Sequence, residues 1–223
     1  MARTAWANFL PVNLLTNTRL ERGVSYFVNA MRIAISGSHA TGKSTVLLEL
    51  KRRLAHVTLV EEPYYQLLAA GHAFSDPPTI EDFETLFEAS VATFAASRPG
   101  PVAFDRSPAD YLAYIAARRP GTALVEEIAA TAAAMATLDL VAYVPVERPD
   151  RIDVADAPRL RRHVDALLRD MLINQAWGFA VPVVEVRGTP FQRATQLADH
   201  IESLMPVSRC SDVGAVLPNE RCS

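Results

Sequence analysis

Residues 31–44 read Met31-Arg32-Ile33-Ala34-Ile35-Ser36-Gly37-Ser38-His39-Ala40-Thr41-Gly42-Lys43-Ser44. An apolar run over 32–36 enters a glycine turn directly, and a helical pattern over 45–54 follows, so strand, turn and helix succeed one another without a break. The turn matches G-x-x-x-x-G-K-[ST] in full, in the strand-to-helix context that gives the motif its meaning. Its glycines let the backbone close tightly around an anion, with successive N–H groups and the positive end of the helix aimed at it.

Around this stretch, the pattern predicts an α/β fold. Short β-rich runs at 32–36, 57–60, 102–104, 140–144 and 181–186 alternate with longer helical patterns, the signature of a doubly wound, five-stranded parallel sheet with helices on both faces. Residues 79–97 place Phe83, Leu86, Phe87, Val91 and Phe94 at helical spacing, and 159–176 carry a stripe of Leu160, Val164, Leu167, Leu168 and Met171. Thr189-Pro190-Phe191-Gln192 opens a last helix over 190–205 with a capping-box pattern, its apolar face drawn from Phe191, Ala194, Leu197, Ala198, Ile201 and Leu204. Residues 1–30 have no clean period and read as an N-terminal extension, non-native or disordered. The working domain is expected at 31–205, with a flexible tail at 206–223.

Composition narrows the partners. The chain has 223 residues, half of them hydrophobic and 21% charged, which suits one globular core. No apolar run approaches the ~18 residues of a membrane span. A net charge of −3 and a pI near 6.0 lack the basic excess of a nucleic-acid binder. Lys43 and Lys51 are the only lysines among 22 basic residues, a bias read chiefly as compositional. Cys210 and Cys222 fall in the polar tail without metal-ligand spacing, which suits tail thiols in a reducing cytoplasm.

The cradle predicts a nucleotide site. Gly37, Ser38, His39, Ala40, Thr41, Gly42, Lys43, Ser44 and Thr45 are its expected phosphate-binding residues, with Lys43 reaching the β- and γ-phosphates and Ser44 offering its hydroxyl to Mg²⁺. His39 reads as a spacer contributing backbone alone. The guanine-reading N-K-x-D motif is missing, and the third strand ends Phe104-Asp105-Arg106 rather than in the Asp-Glu of mechanical ATPases; both absences favour transfer to a bound acceptor. Asp105 is expected beside the cradle as a metal holder, with Arg106 facing phosphate or acceptor. Ser107-Pro108-Ala109-Asp110 reads as a helix start in which Asp110 complements the dipole. Glu61-Glu62 follows the second strand, and on extended backbone only one of the two acids faces the site; the spacing does not choose between them. Arg148 and Arg151 lie on a proline-rich loop placed to close over phosphates, whereas Arg159, Arg161 and Arg162 stand on a helix where some must face solvent. Tyr64 and Tyr65, next to the acidic pair, are the favoured aromatic partners for an acceptor.

Taken in order, Gly37–Ser44, Glu61-Glu62-Pro63, Asp105-Arg106-Ser107, the arginine loop and Arg187-Gly188-Thr189-Pro190 resemble the P-loop nucleoside and nucleotide kinase superfamily. The likeness is nearest to bacterial AAA-domain ATPase/kinase-like proteins related to ribosylnicotinamide and thymidylate kinases. The resemblance covers about 31–205, and its specific part is the cradle. It implies that Glu62 or Glu61 binds or deprotonates the acceptor and that Asp105 and Arg106 line the acceptor and metal site. It further implies that Arg148 and Arg151 form an arginine-bearing lid and that Arg187, Gly188, Thr189 and Pro190 pack on adenine.

The expected activity is therefore Mg-ATP-dependent phosphoryl transfer to a nucleoside, nucleotide or related metabolite, by a cytoplasmic monomer or homodimer. Two alternatives are an antibiotic or secondary-metabolite phosphotransferase and an ATP-sensing regulatory module.

Overall fold

The computed structural model describes residues 31–97, 100–150 and 157–204. The expectations for 1–30 and 206–223, together with Arg151, Cys210 and Cys222, lie outside the described residues. The chain runs β1 (Arg32–Ser36), α1 (Lys43–Arg53), β2 (Thr58–Val60), α2 (Pro63–Ala69), α3 (Ile80–Ala96), β3 (Val102–Asp105), α4 (Pro108–Arg118), α5 (Val125–Met135), β4 (Leu140–Tyr143), α6 (Pro158–Leu172), β5 (Val183–Glu185) and α7 (Pro190–Ser203). The five strands form one parallel sheet in the order β2-β3-β1-β4-β5.

Pleating divides the core between the two faces. Ile33 and Ile35 of β1, Ala103 of β3 and Leu140 and Ala142 of β4 pack against Val46, Leu47 and Leu50 of α1 and Ala194, Leu197 and Ile201 of α7. Ala34, Phe104, Val141 and Tyr143, one residue out of phase, pack on the opposite face with α3, α4, α5 and α6. The register pairs like with like across the strands, Ile33 beside Ala103 and Leu140, and Ala34 beside Phe104 and Val141. The helix leaving β1 covers one face and the helix leaving the adjacent β3 covers the other. A crevice therefore opens between the carboxyl ends of β1 and β3, where doubly wound sheets bind ligands.

Several boundaries differ from the sequence reading. The first helix begins at Lys43 rather than 45, and the helix expected to 176 stops at Leu172. The capping box expected at Thr189 is present, and Thr79 forms a second one with Asp82. Phe191 and Leu204, assigned to the packed face of α7, are instead 63% and 41% exposed; Phe191 stacks beneath the Arg53 guanidinium, 4.6 Å away. Helices α2 and α5 went unassigned. In α5, Ala129, Ala130, Ala132, Ala133 and Ala134 blur the apolar period, and no side chain caps its start.

Candidate functional site

The phosphate loop leaves β1 at Gly37 and re-enters regular structure at Lys43, the first residue of α1. A Cβ at Gly37 would lie 2.4 Å from the Val144 carbonyl oxygen, so only glycine lets the loop turn against β4.

The loop's carbonyls are engaged by cations, three of them arginines from outside the loop and one its own lysine. Arg106 Nη1 donates to the Gly37 carbonyl at 3.0 Å and Lys43 Nζ to Ser38 at 2.6 Å. Arg161 donates through Nε to His39 and through Nη2 to Ala40, both at 3.0 Å, and Arg193 Nη1 donates to Thr41. Engaging these carbonyls outward favours the inward N–H orientation that an anion needs.

Arg161 and Arg193 are 4% exposed and sit on the buried stripes of α6 and α7. Each is anchored by a carboxylate: Arg161 pairs with Asp150, and Arg193 with Glu147 at 2.9 Å. Glu147 also accepts the Gly188 N–H at 2.6 Å, which ties the turn 187–190 through Arg193 to the phosphate loop. Sequence reasoning missed Arg193 and ranked Arg161 below Arg148. The available signal was a charge at a core-facing helical position, Arg161 three before Val164 and Arg193 four before Leu197. Arg148 is exposed and lines a groove of about 420 Å³ with Arg162, Asp165, Arg169 and Arg187.

Lys43 is buried, and burial together with the nearby Arg106 charge lowers its pKa to about 8. Ser44 donates its hydroxyl to Asp105 Oδ2 at 2.6 Å. Asp105, the last residue of β3, is 6% exposed, and its Oδ1 has no hydrogen-bond partner among the described residues. Burial pushes its carboxyl above the usual range, against the Ser44 hydrogen bond and the Lys43 charge. A hydroxyl and an orphaned carboxylate oxygen fit a hard cation such as Mg²⁺. Among the described residues no three His, Cys, Asp or Glu side chains cluster to hold a metal, so phosphate and water oxygens would complete its shell.

The two acids after β2 part company. Glu62 is half-buried and pairs with Arg106 Nε, with the Tyr111 hydroxyl 3.4 Å away. Burial alone would raise its carboxyl, but the Arg106 and Lys43 charges hold it below the usual range. Glu61 is exposed and, with Tyr65, Thr45, Ser44 and Asp105, lines a separate cavity of about 400 Å³ beside α1. Tyr64, not Tyr65, stands on the Glu62 side.

Arg106 joins these parts. It adopts φ 79°, uncommon for a residue with a Cβ, and is pinned there by its own N–H to the Ile35 carbonyl, by Glu62, by Gly37 and by Asp110. Asp110 is wholly buried and does more than cap α4: besides the Ser107 N–H and hydroxyl, it accepts the Gly37 N–H at 2.8 Å.

A second cavity of about 400 Å³ opens from the Glu62–Arg106 pair, walled by Tyr64, Phe83, Leu86, Tyr111 and Tyr114, with His39 at its phosphate-loop edge. His39 is thus more than a spacer in position: its Nδ1 lies 2.8 Å from the Tyr114 hydroxyl, which also accepts the His39 N–H.

With this geometry in view, the likenesses to known proteins fall into place. The fold is similar to thymidylate kinase from Candida albicans, with TM-score 0.55 and 17% identity over 78% of this chain and 92% of that one. Deoxyadenosine kinase from M. mycoides, solved with the products dCMP and dCDP, matches with TM-score 0.52 and 13% identity over 78% and 99%. A NadR protein in complex with NR matches with TM-score 0.53 and 15% identity over 87% of this chain but 52% of that one. No curated protein sequence matches the chain. Among the described residues no helix is long and apolar enough to cross a membrane. A family model described as AAA domain matches residues 32–193, and the chain belongs to that AAA domain family, with the fold of the P-loop nucleoside and nucleotide kinases.

Proposed function

We propose that this protein transfers the γ-phosphoryl group of Mg-ATP to a hydroxyl of a small-molecule acceptor. The observation that carries the reading is the shared wall: Glu62, Arg106 and His39 border the apolar cavity, and Arg106 also holds the phosphate loop through Gly37. An acceptor in that cavity would sit against the phosphate cradle, and holding two reactants in this way supplies much of the rate enhancement in phosphoryl transfer.

The loop N–H groups and Lys43 would bind the β- and γ-phosphates, and Ser44 and Asp105 would hold Mg²⁺, which neutralises charge on the phosphate oxygens. Glu62 would accept the acceptor's O–H. Its carboxyl lies below the usual range, so it orients the hydroxyl from the outset and takes the proton as the new O–P bond forms and the bond to ADP breaks. Arg148 and the turn Arg187, Gly188, Thr189 and Pro190 are assigned to the donor side, with Arg151 as a further lid residue. The exposed groove lined by Arg148 and Arg187, and the Gly188–Glu147–Arg193 connection to the loop, support this placement.

The test is an acceptor panel with γ-labelled ATP and the purified chain. Label recovered on one acceptor, with ATP turnover dependent on that acceptor, is the expected result. Label appearing only as inorganic phosphate across a broad panel would refute the proposal.

A further inference from the structure

Building on the phosphotransfer reading, we infer that the acceptor is an uncharged nucleoside-type molecule, a flat ring carrying a free hydroxyl, and not a phosphomonoester. The charges at the reacting end carry the argument. Among the described residues Arg106 is the arginine of the cavity wall there, and it is matched by two carboxylates: Glu62 on Nε and fully buried Asp110 on Nη1, 3.4 Å away. Its Nη1 also serves the Gly37 carbonyl.

A phosphomonoester carries close to two negative charges at neutral pH and is normally met by an arginine fork free to pair with it. Here it would have to compete with two carboxylates for one guanidinium while lying beside the ionised Glu62. The cavity's other arginine, Arg118, is exposed at the far end of α4, whose 11 residues separate it from the reacting end by roughly 16 Å. It rests over the Phe83 ring, 5.9 Å from its centre.

A hydroxyl meets the opposite situation. The Glu62 carboxylate accepts from it, and the Tyr111 hydroxyl and the His39–Tyr114 pair offer further hydrogen-bonding partners. The walls suit a ring. Phe83 stacks on Tyr114 with centres 4.6 Å apart and planes at 11°, and Tyr64 stacks on Phe74 at 4.7 Å and 26°, so the aromatic side chains that wall the cavity are held in place by their own neighbours. A volume near 400 Å³ lies within the range of small-ligand sites.

The experiment compares ribo- and deoxyribonucleosides with their 5′-monophosphates. Binding to the full chain is measured by calorimetry with Mg²⁺ and a non-hydrolysable ATP analogue, and transfer is measured in parallel with γ-labelled ATP. At least one nucleoside is expected to accept label and to bind 100-fold or more tightly than its monophosphate. Glu62→Gln is expected to shrink that ratio at least tenfold by strengthening monophosphate binding.

A monophosphate that binds or reacts as well as its nucleoside, or label found only on a non-nucleoside alcohol such as an aminosugar, overturns the inference and leaves the phosphotransfer reading standing. Label found only as inorganic phosphate overturns that reading and the inference with it.

Discussion

Ser44 and Asp105 meet at the carboxyl end of the sheet: the second residue of α1, which closes the phosphate-binding motif, donates its hydroxyl to the last residue of β3 across 2.6 Å. The contact depends on β1 and β3 being neighbours, since the register that sets Ile35 beside Asp105 carries the carboxylate to the loop. The remaining oxygen, Oδ1, is buried without a partner among the described residues, an arrangement that costs stability unless a cation or water answers it.

Asp105→Asn keeps the shape and removes the charge. Nucleotide binding is expected to lose its Mg²⁺ dependence by about 10- to 100-fold, while metal-free nucleotide affinity changes little. A Mg²⁺ titration with a fluorescent ATP analogue measures both. An unchanged Mg²⁺ response would exclude Asp105 as a metal holder.

The arginines behind the loop should control nucleotide affinity without touching nucleotide. Arg161→Ala and Arg193→Ala each free loop carbonyls that a charged donor now holds, interactions worth about 1.5–3 kcal/mol, and are expected to weaken ATP binding roughly 10- to 100-fold. Arg193→Ala also strands the nearly buried Glu147 and should lower stability by about 3–5 kcal/mol. Arg193→Lys should restore little, because one ammonium does not span both Thr41 and Glu147 as the guanidinium fork does. Calorimetry and thermal unfolding separate the two effects.

Lys43 makes nucleotide binding pH-dependent. Its pKa in the free protein is about 8, below its ordinary 10.5, whereas a bound triphosphate favours the charged ammonium. Above pH 8 binding must therefore take up a proton, and affinity is expected to fall as pH rises, approaching tenfold per unit. Folding follows the opposite sign. Between about pH 8 and 10.5 the unfolded chain holds the proton that the folded one has lost, so this lysine's contribution to stability increases with pH across that window. Calorimetry at pH 8.5 in two buffers of different ionisation enthalpy should register the uptake on nucleotide binding; equal heats would contradict it.

Gly37→Ala tests the turn. The new Cβ would meet the Val144 backbone oxygen at 2.4 Å, and backbone cannot swing aside as a side-chain tip can. A stability loss of about 1–3 kcal/mol, accompanied by loss of nucleotide binding, is expected from denaturant unfolding and a binding assay.

Much of the fold was legible because its signals are local. The apolar run of β1, the glycine turn and the stripe of α3 each declare themselves within one element, and the capping box at Thr189 needs only four residues. Helix α5 was not legible, since alanine on both sides of a helix leaves no face to read. The outward exposure of Phe191 escaped for a related reason: periodicity gives a direction around a helix but not where its neighbours end. At the site, the cradle could be named from its spacing alone. The roles of Arg161, Arg193, Asp110 and Tyr114 could not, because each acts across a large sequence separation on loop backbone.

Residue spacing alone specifies the phosphate cradle, the alternating α/β architecture and the pool of acids and arginines around it, because glycine, lysine and apolar periodicity act through nearest neighbours along the chain. Which members of that pool meet is set by packing between elements distant in the chain. Strand order brought Asp105 to Ser44. The pleat and the turn into α2 sent Glu62 to Arg106 and Glu61 to the other cavity. Packing of α6 and α7 drove Arg161 and Arg193 into the loop's carbonyls, since a guanidinium carried to the core by its helix must find oxygen there.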